Sequence, residues 1–175
     1  TKSAAERMLS HLRRIRLRIS ELHSRLFYRP LLNSVVTMSA DELKLSPEAA
    51  KLQLAALGYN HPNRAFEHLT SLAAGTSRKA RIQAILLPTL MEWLADTADP
   101  DMGLLNYRKL SEAANDRSWF LRMLRDEGIV GQRLMHILGT SPFTSDLIIS
   151  APDSVKQLSD GATGPKLLET KPEQV

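Results

Sequence analysis

The helical character of the chain is clearest in residues 77–95, which read SRKARIQAILLPTLMEWLA. The apolar side chains of this stretch recur at steps of three and four residues, the spacing that lines one face of an α-helix. They are Ile82, Ile85, Leu86, Leu90, Trp93 and Leu94. Thr76 or Ser77 supplies a hydroxyl N-cap, so we predict a helix over about 78–95. Pro88 lies inside the pattern and is expected to kink the helix or split it.

Start and stop signals of the same kind divide the rest of the chain into short helices. Asp116 or Ser118 is the expected N-cap of a helix that carries Trp119 and Phe120. Proline after a capping or turn residue is a typical helix start. Such pairs occur at Ser46-Pro47, His61-Pro62, Asp99-Pro100, Ser141-Pro142 and Ala151-Pro152. No strand alternation or fixed-period repeat is present, so we predict an all-α protein, a compact helical bundle of about seven to nine helices.

The N-terminal part of the chain differs from the rest in charge. Residues 1–30 contain eight Lys and Arg against two Glu, whereas the remainder contains fifteen against seventeen Asp and Glu. Here we predict one long amphipathic helix, with an apolar stripe of Met8, Leu12, Ile15, Ile19, Leu22 and Leu26. A neighbouring face carries Arg14, Arg18, Arg25 and Arg29. We divide the chain into a long basic amphipathic helix (1–36), a central helical domain (37–159) and a flexible linker or tail (160–175).

Composition and spacing remove several classes of function. The absence of cysteine excludes disulfides, thiolate zinc sites and cysteine nucleophiles. No apolar run approaches the ~20 residues of a membrane span, and no signal peptide opens the chain, so we expect a cytoplasmic protein. His61 and His68 have no second histidine at metal-binding spacing, and Asp99 and Asp101 are interpreted as helix caps. We therefore predict no metal and no cofactor in this chain.

A nucleic-acid-binding module is the alternative suggested by the basic N-terminal helix, since Lys and Arg neutralise phosphates. However, Phe27 and Tyr28 are its only aromatic residues, and the rest of the chain is slightly acidic. An interface with a neighbouring protein domain explains the arginines better.

Several segments, in their order and spacing, resemble one protein family. They are LFYRPLL (26–32), LGY (57–59), SRKARIQ (77–83), LLP (86–88), DPD (99–101), GLL (103–105), WFLR (119–122), LRDE (124–127), LGTS (138–141), DL (146–147) and APD (151–153). The family is the bacterial bifunctional glutamine synthetase adenylyltransferase and adenylyl-removing enzymes, particularly the actinobacterial ones. The resemblance spans about 10–158, and the chain begins with Thr1 rather than Met, so we expect a fragment of a longer protein.

The resemblance implies a parent with two nucleotidyltransferase domains. One removes AMP from a tyrosine of glutamine synthetase, and the other adds it from ATP with Mg²⁺. Each carries a Gly-Ser turn followed by paired aspartates. This chain departs from that pattern, because Gly139-Thr140-Ser141 is followed by a single carboxylate, Asp146, on a predicted helix. The chain therefore resembles the central helical region between the two domains, with 1–36 ending the first catalytic half, and no catalytic residue is carried over.

The position implied by the resemblance predicts a non-catalytic regulatory or linker segment that couples two opposing active sites. Its expected partners are the flanking nucleotidyltransferase domains, with the PII signalling protein and glutamine synthetase as further candidates. The candidate contact residues are Arg14, Arg18, Arg25 and Arg29 on the N-terminal helix, and Arg122, Arg125 and Asp126 near Trp119 and Phe120. The alternatives are solvated arginines beside core-filling aromatics, and a passive spacer that binds nothing.

Overall fold

The computed structural model of the chain describes residues 8, 9, 11, 12, 15, 46–75 and 77–159. Within the predicted N-terminal helix, the described residues are helical and their side chains are exposed; they are Met8, Leu9, His11, Leu12 and Ile15. The rest of that helix lies outside the described residues, and so do Arg14, Arg18, Arg25, Arg29 and the predicted tail.

The described residues form seven α-helices and a closing 3-10 helix. They are α1 (Pro47–Ala56), α2 (Pro62–Ala73), α3 (Arg78–Ala95), α4 (Pro100–Ala113), α5 (Ser118–Asp126), α6 (Gly128–Leu138), α7 (Pro142–Ser150) and the 3-10 helix (Pro152–Leu158). Residues 46–75 and 77–159 contain no β-strand. The predicted all-α bundle is therefore confirmed.

Four of the predicted caps open their helices through side-chain hydrogen bonds. Ser46 Oγ accepts from the amide of Ala49, and Ser77 Oγ accepts from that of Ala80 at 3.1 Å. Asp99 and Ser141 make the equivalent bonds at α4 and α7. Each bond satisfies one of the amides that a helix N-terminus leaves without a partner. Gly58 follows the end of α1 with a φ of +94°, a conformation that suits glycine and ends a helix.

One expectation about a helix boundary is wrong. The N-cap position of α5 is Arg117 rather than Asp116 or Ser118, and no side chain caps the helix there. Of the two effects expected of Pro88, a kink or a split, the split does not occur, since α3 runs through the proline. Leu87 and Leu90, on either side of the proline, are fully buried. Their packing keeps the helix continuous although proline removes one backbone hydrogen bond.

The centre of the bundle is α6, which packs against α3, α4, α5, α7 and the 3-10 helix. Its contact with α4 is close because glycine occupies the crossing. A Cβ atom added at Gly103 would lie 2.5 Å from Leu94 Cδ2 and 3.0 Å from Gly139 Cα. Asn106, on the same side of α4, donates from Nδ2 to the carbonyl of Leu138 at 3.1 Å. These contacts fix α4 against the end of α6, and α3 and α5 also pack on α6.

Candidate docking groove

A groove of about 250 Å³ lies where the first turns of α3, the segment after α4 and the outer face of α5 meet. Its lining residues are Arg78, Lys79, Ile82, Ala114, Asn115, Arg117, Ser118, Leu121, Arg122 and Arg125. Five of these ten side chains are cationic and none is a carboxylate. We refer to this feature as the basic groove.

The five cations of the basic groove differ in how far they are neutralised. Arg117 Nε donates to Asp153 at 3.1 Å, and Arg125 is paired with Asp126. Arg78, Lys79 and Arg122 form no ion pair with any residue that the structure describes. Three of the five guanidinium and ammonium groups that line the groove are therefore available to an anionic partner.

Apolar side chains form the floor of the basic groove. Ala114 and Leu121 are 1% and 6% exposed, and Ile82 is half-buried. An apolar floor with a cationic rim matches a partner that combines an apolar side chain with carboxylates. A free inorganic anion would leave this floor without a partner.

The structure brings two of the three candidate contact residues of α5 into the groove. Arg122 and Arg125 line it, whereas Asp126 does not. Arg125 Nε donates to Asp126 Oδ1 at 2.7 Å, and Nη2 donates to Oδ2 at 3.0 Å. These hydrogen bonds lower the pKa of Asp126 and keep it charged, so Asp126 acts on the groove through Arg125.

Sequence reasoning did not single out the other three cations of the groove, Arg78, Lys79 and Arg117. Arg78 and Lys79 lie on α3, far from α5 in sequence, and Arg117 immediately precedes α5. The packing of α3 against α5 brings the three residues together. The sequence contains only weak evidence that Arg78 and Lys79 belong to a binding site, because they form no more than a cationic pair at the start of α3.

The 3-10 helix holds one wall of the groove in place. Asp153 accepts from Arg117 and also from Lys156 Nζ at 2.7 Å. Lys156 Nζ lies 4.4 Å from the ring centre of Trp119, a cation–π contact. Phe120 is 1% exposed and belongs to the core, as the alternative interpretation of the aromatics predicted.

A smaller hollow of about 210 Å³ contains the histidines and aspartates that were weighed as a metal site. Asp99 Oδ1 accepts from Met102 N at 2.9 Å, and Asp101 Oδ2 accepts from Asn60 N at 2.7 Å. Both carboxylates therefore bind backbone amides; Asp99 caps α4 as predicted, whereas Asp101 binds the loop before α2 instead of capping its own helix. Among the described residues there is no group of three or more side chains able to hold a metal ion.

No helix among the described residues is both long enough and apolar enough to span a bilayer.

Three known proteins similar to the chain carry one name, bifunctional glutamine synthetase adenylyltransferase/adenylyl-removing enzyme. The protein from Corynebacterium efficiens is 75% identical over 174 residues, 99% of this chain and 17% of the relative. Those from Nocardia farcinica and Mycolicibacterium smegmatis are 57% and 52% identical over 166 and 171 residues, 95% and 97% of this chain and 16% and 17% of the relatives. No protein-family model and no solved structure matches the chain. The chain spans about one-sixth of the length of these relatives, and over nearly its whole length it is similar to a segment of bifunctional glutamine synthetase adenylyltransferase/adenylyl-removing enzymes.

Proposed function

We propose that this chain is a non-catalytic regulatory and linking segment of an enzyme that adenylylates and deadenylylates glutamine synthetase. In this proposal the basic groove docks an acidic, partly apolar segment of a neighbouring nucleotidyltransferase domain. Docking there would bias which of the two opposing activities runs. The catalytic domains, outside this chain, would use ATP and Mg²⁺.

The observation that carries the proposal is the unbalanced charge of the groove. Arg117 and Arg125 already have carboxylate partners, whereas Arg78, Lys79 and Arg122 have none among the described residues, and an acidic partner would balance their charge. Complementary charge at such a site gives specificity and fast association more than raw affinity, which suits a contact that must form and break.

An exposed apolar pair on α7 supports a second contact. Phe143 and Leu147 are 74% and 54% exposed and lie four residues apart, so they share one face of the helix. α5 and α7 both pack on α6. The chain thus offers two contact surfaces, the basic groove beside α5 and the apolar pair on α7. Two surfaces suit a segment that joins two neighbouring domains, which is what a coupling element requires.

The test uses a full-length relative with the double charge reversal Arg78→Glu/Arg122→Glu. The matched control is Arg81→Glu, since Arg81 is exposed on α3 but does not line the groove. Adenylylation and deadenylylation of glutamine synthetase are measured with and without glutamine and the PII protein. We expect the double variant to change the balance between the two activities or its response to the effectors, while the control behaves as wild type.

Two outcomes would refute the proposal in different ways. Unchanged activities and unchanged effector responses in the double variant would make the chain a passive spacer with respect to this groove. AMP transfer by the isolated 175-residue chain, given ATP, Mg²⁺ and glutamine synthetase, would contradict the non-catalytic assignment. A nucleic-acid role would instead appear as binding that weakens steeply as salt is added.

A further inference from the structure

A second cavity, of about 430 Å³, lies on the other side of the α3 N-terminus from the basic groove. Its walls come from the end of α2, the first turns of α3 and the second half of α4. The lining residues are Ser71, Leu72, Ala74, Ser77, Lys79, Ala80, Gln83, Arg108, Ser111, Glu112 and Asn115. Small-molecule sites typically occupy about 300–1,000 Å³. We refer to this feature as the polar cavity.

The polar cavity contains a buried group with an unfilled hydrogen-bonding position. Gln83 is 2% exposed, and its Nε2 donates to the hydroxyl of Tyr107 at 2.6 Å. Its Oε1 has no hydrogen-bond partner among the described residues. Buried carbonyl oxygens of this kind are nearly always paired in folded proteins, and Gln83 is one of the residues that line the cavity.

The mouth of the cavity is positively charged. Lys79 stands at the start of an 18-residue helix, where backbone amides and the helix dipole favour anions. Arg108 and Glu112 pair at 2.9 Å and cancel each other, which leaves the charge of Lys79. Lys79 Nζ donates to the side chain of Asn115, a neutral partner.

The spacing between the charge and the acceptor sets the size of a ligand. Lys79 and Gln83 are four residues apart on α3 and so lie on the same face, with Cβ atoms about 5–6 Å apart. Ser111, 7% exposed on α4, also lines the space. A molecule that spans these groups carries an oxyanion at one end and an O–H donor a few bonds away.

We propose that the polar cavity binds a small hydroxylated organic anion. Its carboxylate or phosphate group lies against Lys79 and the first turn of α3, and one hydroxyl donates to Gln83 Oε1. This site shares Lys79 and Asn115 with the basic groove, but its ligand contacts do not depend on the proposed docking function.

The test is titration of the isotope-labelled 175-residue chain by NMR with glycerol 3-phosphate and with gluconate. The first probe is a hydroxylated phosphate ester and the second a hydroxylated carboxylate, so the tighter of the two identifies the anionic group. Glycerol keeps the hydroxyls without the charge, and inorganic phosphate keeps the charge without the carbon-bound hydroxyl. We expect saturable shifts at Gln83 and Ser111 with at least one hydroxylated anion, and weaker binding of both control molecules.

Variants show whether the named groups are responsible. Gln83→Met is expected to weaken binding about tenfold by removing the acceptor. The matched control, Gln132→Met, lies on an exposed position of α6 and should leave binding unchanged. Lys79→Met provides a second variant, should loss of the Gln83 bond to Tyr107 impair folding. It is expected to abolish the preference for the anions over glycerol.

Three results would overturn the proposal. They are the absence of binding by both hydroxylated anions at millimolar concentration, equal binding of glycerol, and shifts centred on Leu121 in the basic groove instead of Ser111. Wild-type affinity in a folded Gln83→Met variant would equally exclude a ligand that bonds to Oε1, and would indicate that water alone fills that position.

Discussion

Replacement of Gly103 by alanine tests whether the close crossing of α4 and α6 holds the bundle together. In an unpacked helix this change would stabilise the chain, because alanine exceeds glycine in helix propensity by about 1 kcal/mol. In this fold the new Cβ would lie 2.5 Å from Leu94 Cδ2 and 3.0 Å from the backbone of Gly139. Leu94 is fully buried, and the Gly139 backbone cannot rotate away as a side chain can.

The size of the effect follows from those two obstacles. Inserting a methyl group into a packed core costs about 1–3 kcal/mol, and an obstructing backbone places this site in the upper half of that range. After the gain in propensity, we expect Gly103→Ala to lower the free energy of unfolding by about 1–2 kcal/mol. Urea unfolding followed by circular dichroism measures it, with a change in midpoint at constant slope.

Gly128→Ala is the matched control for this prediction. A Cβ atom at Gly128 would meet no heavy atom within 4 Å. This variant should be as stable as wild type, or more stable by about 0.5 kcal/mol. If Gly103→Ala were as stable as Gly128→Ala, the close approach of α4 to the end of α6 would not exist as described.

Three further variants probe separate parts of the bundle. His68 is kept neutral by burial and by nearby Arg108, which lower its pKa below 6.5. As the pH falls, this histidine is therefore protonated in the unfolded chain before it is protonated in the folded one. The free energy of unfolding should then decrease below pH 6.5, and it should decrease less in His68→Gln. A parallel pH dependence of the urea midpoints in both proteins would contradict this. Ser77→Ala removes the cap of α3 and should cost about 1 kcal/mol in the same assay, with Ser77→Thr retaining most of it. Lys156→Met removes both the contact with Trp119 and the ion pair with Asp153, so amide hydrogen exchange in the 3-10 helix should accelerate while α4 is unaffected. Equal protection in both proteins would mean that neither contact of Lys156 holds this helix.

The helices could be predicted from sequence wherever their boundaries depend on local chemistry. Ser46, Ser77, Asp99 and Ser141 each cap the helix that follows, and this chemistry needs only a side-chain oxygen three residues before an amide. The start of α5 escaped prediction because its environment is tertiary. The guanidinium of Arg117 bonds to the carbonyl of Ala113 at the end of α4 and to Asp153, 36 residues further along the chain, so the entry to the helix depends on tertiary contacts.

The candidate site was only half visible in the sequence. Arg122 and Arg125 stood out because they share a short segment with two aromatic residues. The groove requires Arg78 and Lys79 from another helix, and no periodicity relates α3 to α5. The polar cavity was not predicted at all, because Gln83 looks like any polar residue of an amphipathic helix until Tyr107 of α4 is placed against it.

The hydrogen bond between Lys79 and Asn115 has a consequence for both recesses, because both residues line the groove and the cavity alike. One ammonium group cannot direct its full charge to two sides at once. An anion that draws Lys79 toward the cavity weakens the attraction of the groove for an acidic segment, and a docked segment weakens the hold on the anion by the same factor. The bundle would then convert the concentration of a small molecule into the strength of a contact between domains, through a single side chain and without rearranging a helix.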